Sequence, residues 1–287
     1  MLYVRIIAIA VTMLTGIAHA IATPPDSIAP LRPVNSFYSI GIGKASMLDS
    51  YLSQLTYHGL DLRIGYERQQ AMRFNPESWT QHLDLGLEYS KTDNPARNRS
   101  AHTLMVSARW GIAHRWRLPV EGLTLSVGPA TSFDGGARYN RYNSNNPVSG
   151  QIRWSIDAIG QAVYNTRIGR LPITLRYRMA MPIIGCFFAP EYDESYYEIY
   201  LGNRRNIAHF ASWGNRFDMV NEVSADLHFG NTVMRLGYRN VIANYDVSNL
   251  RSRHYINLFT IGLGGDWLSA GKSRRPNAAA PIISALY

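Results

Sequence analysis

The chain has a single cysteine, Cys186, in 287 residues, which excludes an internal disulfide framework and a cysteine-built metal site. Lysine is almost as scarce: among 29 basic residues only Lys44, Lys91 and Lys272 are lysines. Charged residues make up 17% of the chain, little for a soluble domain of this length, whereas 46% hydrophobic and 11% aromatic residues exclude a disordered one. Beyond residue 22 no apolar run reaches the ~20 residues that a membrane-spanning helix needs. What remains is a formal charge of +9 carried by arginine. Arginine is preferred where a guanidinium is packed and paired with carboxylates away from bulk water.

The N-terminus reads as an export signal. A short basic start ending at Arg5 precedes an apolar run from Ile6 to Ile17 and small-x-small cleavage sites at Ala18-His19-Ala20 or Ala20-Ile21-Ala22. Residues 1–22 are therefore expected to be a cleaved signal peptide and residues 23–36 a periplasmic leader.

From Phe37 onward, apolar and polar residues alternate with period two, interrupted by Gly, Asn, Pro or Asp clusters. In Tyr57 to Arg68, Leu60, Leu62, Ile64 and Tyr66 oppose Asp61, Arg63, Gly65 and Glu67. Trp79 to Tyr89, Ala101 to Trp116 and Leu171 to Pro182 repeat the pattern, and weaker versions lie at Phe37–Ala45, Gly122–Phe133, Gln151–Thr166, Phe217–Phe229, Thr232–Ala243 and His254–Trp267. The expected fold is all-β, an antiparallel up-and-down transmembrane barrel of about 10 strands (8 to 12) over residues 37–268. Short links at Pro119–Glu121, Gly169-Arg170 and Gly230-Asn231 alternate with longer ones at Asp134–Gly150, Gly185–Arg216 and Tyr245–Arg253, as short periplasmic turns alternate with outer loops. The link Gln70–Ser78 is longer than that rule wants. Residues 269–287 are expected as a periplasmic tail, or to contribute a short extra element from Pro281.

A soluble, secreted barrel with its apolar face turned inward would give the same periodicity. The chemistry of the polar face favours the membrane. Asp61, Arg63, Glu67, Asp84, Glu88, Arg109, Arg153, Asp157, Arg176, Arg178, Asp226, Arg235, Arg239 and Asp266, with Arg115 beside them, nearly balance in charge and include no lysine. These residues are expected to interlock in a confined lumen. On the apolar face, Tyr38, Tyr66, Tyr89, Trp110, Trp116, Trp154, Tyr164, Tyr177 and Trp267 sit largely near strand ends, as in interfacial aromatic girdles.

The stretch Gly41-Ile42-Gly43-Lys44-Ala45-Ser46-Met47-Leu48-Asp49-Ser50-Tyr51-Leu52-Ser53, with Tyr57-His58-Gly59-Leu60 and Gly65-Tyr66-Glu67-Arg68, resembles uncharacterised outer-membrane barrel proteins of the Bacteroidota, a domain of unknown function. The resemblance implies an outer-membrane address in a Gram-negative bacterium, with no assigned activity and no catalytic residues. The run after Lys44 is expected as the first outer loop, with Leu48, Tyr51, Leu52 and Leu55 folding over the rim or into the barrel mouth.

Candidate chemistry is thin. His58, His102 and His254 fall at upper strand ends, near Ser100 and Ser252, the positions a rim hydrolase acting on lipid or peptide would use, but no motif joins them. Ser224, Asp226 and His228 share one strand face at roughly 6–7 Å spacing, too far for a triad. No metal or cofactor site is expected, and the basic charge belongs to the lumen rather than to nucleic-acid binding. The tyrosine-rich loops carrying Tyr139, Tyr142, Tyr192, Tyr196 and Tyr197 suit a sugar or protein ligand. The leading expectation is a closed, non-enzymatic barrel with a structural, adhesive or ligand-binding role, in contact with outer-membrane lipid. A rim hydrolase, a narrow channel and a secreted binding barrel are the alternatives.

Overall fold

The computed structural model describes residues 30–144, 146–191, 194–202, 206–230, 232–268 and 281–286. The expected signal peptide, most of the leader, Tyr192 and residues 269–280 lie outside the described residues.

Ten long antiparallel strands close on themselves: β1 (Val34–Asp49), β2 (Ser53–Ala71), β3 (Trp79–Asp93), β4 (Ser100–Arg117), β5 (Leu123–Tyr139), β6 (Val148–Ile168), β7 (Leu171–Phe188), β9 (Arg216–Phe229), β10 (Thr232–Val247) and β11 (Leu250–Trp267). Each pairs with its neighbour in sequence, β7 pairs with β9, and β1 meets β11 in continuous register from Val34↔Trp267 to Asp49↔Ser252, so the barrel has no free edge. The short β8 (Ala208–Ala211) adds only to the upper part of β7. That change of partner follows Pro182, which has no N–H to give the ladder, and the β6–β7 register slips beside it between Ile156 and Asp157.

The wall is inverted relative to a soluble barrel. Outward-facing Tyr38, Ile40 and Ile42 on β1 are exposed, as are Leu60, Leu62 and Ile64 on β2, while Asp61, Arg63 and Glu67 point inward and are buried. The reading in which the apolar rows line the interior is therefore not this fold. Trp116, Tyr164 and Trp267 lie outward near the lower strand ends, and Tyr89, Phe133 and Trp154 lie nearer the upper ends. Within the described residues no helix is long and apolar enough to cross a membrane.

Strands run further at the upper rim than their amphipathic pattern suggests, which corrects several loop expectations. β1 continues to Asp49, leaving a short turn where a loop after Lys44 was expected. The link after β5 shrinks to 140–147 and that after β7 to 189–215. The expected loop Tyr245–Arg253 is a two-residue hairpin at Ser248 (φ 50°) and Asn249 (φ 61°), left-handed conformations of the kind a tight hairpin turn requires. At the lower rim Gly169 (φ 61°) and Gly230 (φ 64°) supply the same conformation.

Ile64→Arg tests which medium the outer face meets. In phospholipid vesicles it should destabilise the barrel by about 2–4 kcal/mol, whereas a water-facing position would lose no more than about 0.5 kcal/mol. Urea unfolding followed by tryptophan fluorescence separates the two.

Candidate functional site

Inward parity brings the charged residues into one lattice across the lumen. Glu67 is its hub: Oε1 accepts from Arg176 Nη2 at 2.7 Å, and Oε2 pairs with Arg178 Nη1 at 2.9 Å and Arg235 Nη1 at 2.8 Å. Arg235 also forks onto Asp226, at 2.6 Å through Nε and 2.8 Å through Nη2, and its guanidinium lies 3.6 Å from the centre of the buried Phe37 ring. Arg178 reaches Glu222 at 2.9 Å and Asp84 at 3.4 Å, Arg63 meets Asp84 at 3.1 Å, and Arg239 meets Glu222 at 3.1 Å. Gly86 makes room for this, because a Cβ there would collide with the guanidinium of Arg63. Towards the upper rim Arg109 holds Asp157 at 2.9 Å, Arg153 bridges Asp134 and Asp218, and Arg138 binds Asp49 at 3.0 Å.

Three of the expected network residues stand apart from these ion pairs. Asp61 is fully buried but is held by the Ser90 hydroxyl. Glu88 faces the upper cavity beside Arg63 and Arg239 but makes no close ion pair with either. Asp266 is exposed at the lower rim, where Asn35 Nδ2 donates to it at 2.9 Å. Conversely, Asp49, Asp134, Arg138, Arg216, Asp218 and Glu222 belong to the lattice although the sequence reading did not single them out. Asp218 and Glu222 share the parity of Asp226, a signal that was available. Asp49, Asp134 and Arg138 lie on strand extensions beyond the obvious alternation.

Among the cavities that remain between these groups are an upper and a lower one, each lined by both polar and apolar side chains. The upper, about 110 Å³, is lined among others by Glu88, Asp134, Arg153, Arg239 and His254. The lower, about 50 Å³, lies beside His82, Gln161, Arg178 and Glu222. Each has room for several water molecules.

The chain covers both mouths. Above, Tyr51, Leu52, Phe187, Ala189, Ala211, Tyr245 and Leu250 form a buried apolar cluster, with Tyr196 packed against it. The loops are tied to one another: Tyr51 Oη donates to Glu194 O at 2.9 Å, Asn143 Nδ2 donates to the Tyr51 and Leu52 carbonyls at 3.3 Å, and Gly150 N donates to the Tyr196 oxygen. Below, Leu31 bridges Ile282, and Ser284, Ala285 and Leu286 are buried. Arg115 anchors them, donating through Nη1 to Ser284 O at 2.6 Å while Nε and Nη2 hold the Glu77 carbonyl. Residues 281–286 thus lie against the lower end of the barrel.

The histidines do not share a site. His58 and His102 point outward, the latter hydrogen-bonded through Nδ1 to Tyr89 Oη at 2.8 Å, whereas His254 is buried in the upper lumen. The nearby serines are engaged elsewhere, Ser100 with Asp93 and Ser252 with Arg138. His228 meets Thr174 Oγ1 at 2.9 Å, and Asp226 serves Arg235, so no triad forms on β9. Among the described residues no His, Cys, Asp and Glu cluster could hold a metal ion. The loop tyrosines divide as well. Tyr139 ends β5 and faces sideways in register with His102, Tyr142 lies under Arg99 and Arg141, and Tyr196 is tied into the cap. Tyr197 is exposed at 68%, together with Tyr200 and Leu201, on the short helix α1 (Tyr196–Tyr200) capped by Ser195 and Glu198.

These features define a class: a closed β-barrel with an apolar exterior, a polar packed lumen and covered mouths. The chain belongs to the family described as "Protein of unknown function (DUF3316)", whose model matches residues 6–272. No curated protein matches the sequence. Solved structures similar to it include the outer membrane protease OmpT of Escherichia coli, at 9% identity, TM-score 0.43, covering 87% of this chain and 99% of that one. Another is the translocator domain of the autotransporter NalP of Neisseria meningitidis, at 12% identity, TM-score 0.37, covering 92% and 96%. Neisserial surface protein A is similar at 10% identity, TM-score 0.32, covering 81% and 97%.

Glu67→Ala removes the acceptor shared by three guanidinium groups and should cost about 3–5 kcal/mol, because it strands buried charge. The measurement is equilibrium unfolding in vesicles, and a loss below about 1 kcal/mol would refute the hub assignment. In the upper cap, burial pushes the phenols of Tyr51 and Tyr196 above their ordinary value of 10.0. A pKa raised on folding leaves the cap unaffected below about pH 10 and weakens it as pH rises further, since the opened loops ionise first. An absorbance titration should show two phenols ionising later in the folded protein than after loop opening, and their titration with the bulk would contradict this.

Proposed function

We propose that the chain is an integral barrel of the outer membrane of a Gram-negative bacterium, with a non-enzymatic role carried by its upper surface and not by conduction through its lumen. The Bacteroidota are the source that the sequence resemblance implies. One observation carries the reading: chain segments cover the lumen at both mouths and an ion-pair lattice fills its middle. The wide apolar exterior supports the membrane setting, since such a surface is not stable in water as a monomer. The exposed Tyr197, Tyr200 and Leu201 on a capped helix support a contact role, because aromatic side chains give contact area at low entropic cost. A sugar or a protein surface is the ligand class that fits.

Planar-bilayer recording of the refolded protein should give no stable single-channel conductance, and steps that persist in every insertion would overturn the closed-lumen reading. Tyr197→Ala with Tyr200→Ala should lower adhesion of cells displaying the protein to glycan- or protein-coated surfaces at least tenfold while leaving barrel circular dichroism unchanged. Undiminished adhesion would move the role away from this helix.

A further inference from the structure

The outer wall carries a polar row that a lipid-facing surface does not account for. Asn221 on β9 pairs in register with Asn240 on β10, and Asn240 pairs with Asn257 on β11. All three share the outward parity of the exposed Val223, Leu236 and Phe259. Along its strand each has apolar or aromatic outward neighbours on both sides: Met219 and Val223 about Asn221, Tyr238 and Ile242 about Asn240, Tyr255 and Phe259 about Asn257. The row therefore lies within the apolar belt.

Its internal hydrogen bonds are incomplete. Tyr177 Oη donates to Asn221 Oδ1 at 2.9 Å. Tyr238 Oη and Asn240 Nδ2 both donate to Asn257 Oδ1, at 2.7 Å and 2.9 Å. The amide groups Nδ2 of Asn221 and Asn257 and the carbonyl Oδ1 of Asn240 have no partner among the described residues. Hydrocarbon offers them none.

We propose that this amide row is where two copies of the chain meet side by side in the membrane. The proposal rests on the membrane reading above. A two-fold contact brings a surface against itself, so the surface must be complementary to itself. A row with free donors and a free acceptor meets that condition, which a row of like charges does not. An axis between β10 and β11 sets Asn240 of each copy opposite Asn257 of the other, so that Nδ2 of Asn257 donates to Oδ1 of Asn240 twice over. Leu236, Phe259 and Ile261 lie below this pair and Ile242 above it, giving apolar packing on both sides.

The continuation of the row argues against a lipid headgroup at the same place. In register it passes from Asn257 to Lys44, Leu60, Lys91 and His102. Barrel strands tilt by roughly 35–45°, so a row crossing them climbs by about 3 Å per strand. Lys91 and His102 lie beside the upper strand ends Asp93 and Ser100, whereas Asn240 lies near the middle of β10. Cations thus occupy the end at the headgroups and amides the end in the belt.

The test uses the full chain in phospholipid vesicles with Cys186→Ser as background. Leu236→Cys beside the row should yield a covalent dimer with a short bifunctional thiol reagent, and Val106→Cys on the opposite wall should yield at least tenfold less. The triple change Asn221→Val, Asn240→Leu, Asn257→Leu keeps every outward position acceptable to lipid and should convert a detergent-solubilised dimer to monomer by light scattering. A membrane-inserted monomeric wild type, equal cross-linking at the two positions, or a triple variant that stays dimeric would each overturn the proposal. Wild-type protein that stays dissolved without detergent would instead overturn the membrane reading on which it rests.

Discussion

The fold depends on ion pairing inside a narrow barrel. Ten strands enclose too little space for an open aqueous channel when large side chains point inward, so the inward residues must satisfy one another. Glu67, touching Arg176 and Arg178 from the opposite wall and Arg235 from β10, ties β2 to two strands it does not pair with. Such pairs add little net stability over an apolar filling, but they are costly to break singly. Their effect is to fix register: a one-residue slip of any strand would turn its guanidinium groups outward. Arginine suits this work because its fork contacts two acceptors at once, as Arg235 does with Asp226, and its flat face packs on Phe37.

With the middle of the lumen acting as a core, the two mouths act as its ends. The upper one is sealed by apolar side chains, including Phe187 and Tyr245, that continue the inward rows of β7 and β10 above the charged lattice. The lower one is sealed by main chain, because Arg115 uses its guanidinium to collect carbonyls from the β3 approach and from residue 284. The same residue type serves as lattice member in one place and as main-chain anchor in another. What decides the role is whether a carboxylate of the right parity lies within reach.

Much of the wall was legible in the sequence. Strict alternation at Leu60 to Glu67 and Leu83 to Tyr89 specified β2 and β3 and which side was polar, because a period of two leaves no other way to segregate them. Upper strand ends were not legible. From Asp134 to Tyr139 the outward positions are Gly135, Ala137 and Tyr139, and from Ser46 to Asp49 the inward ones are Met47 and Asp49, so the polar-apolar pattern fades while the hydrogen-bonded ladder continues. The hairpin at Ser248-Asn249 was hidden for a related reason, as the polar residues around it match a long loop equally well. The upper cap was readable only as a tendency. That Leu52 and Leu250 meet is a long-range contact that local pattern does not encode.

Lysine and asparagine show where the inside-outside rule is broken. Arginine, weakly hydrated, is drawn into the lumen, while the strongly hydrated Lys44 and Lys91 are both turned outward at the upper margin of the belt. That sorting needs no partner, since a long side chain at a membrane boundary reaches water by itself. Asparagine has no such reach. A short amide beside Val223, Leu236 and Phe259 is not in the lumen, and Asn240 and Asn221 lie progressively lower on the wall than Asn257, the register partner of Lys44; alternation alone would have put an apolar residue at each of those positions. A sequence that obeys its polarity rule along nearly every strand and departs from it three times in one register line marks that line as a surface with a use of its own.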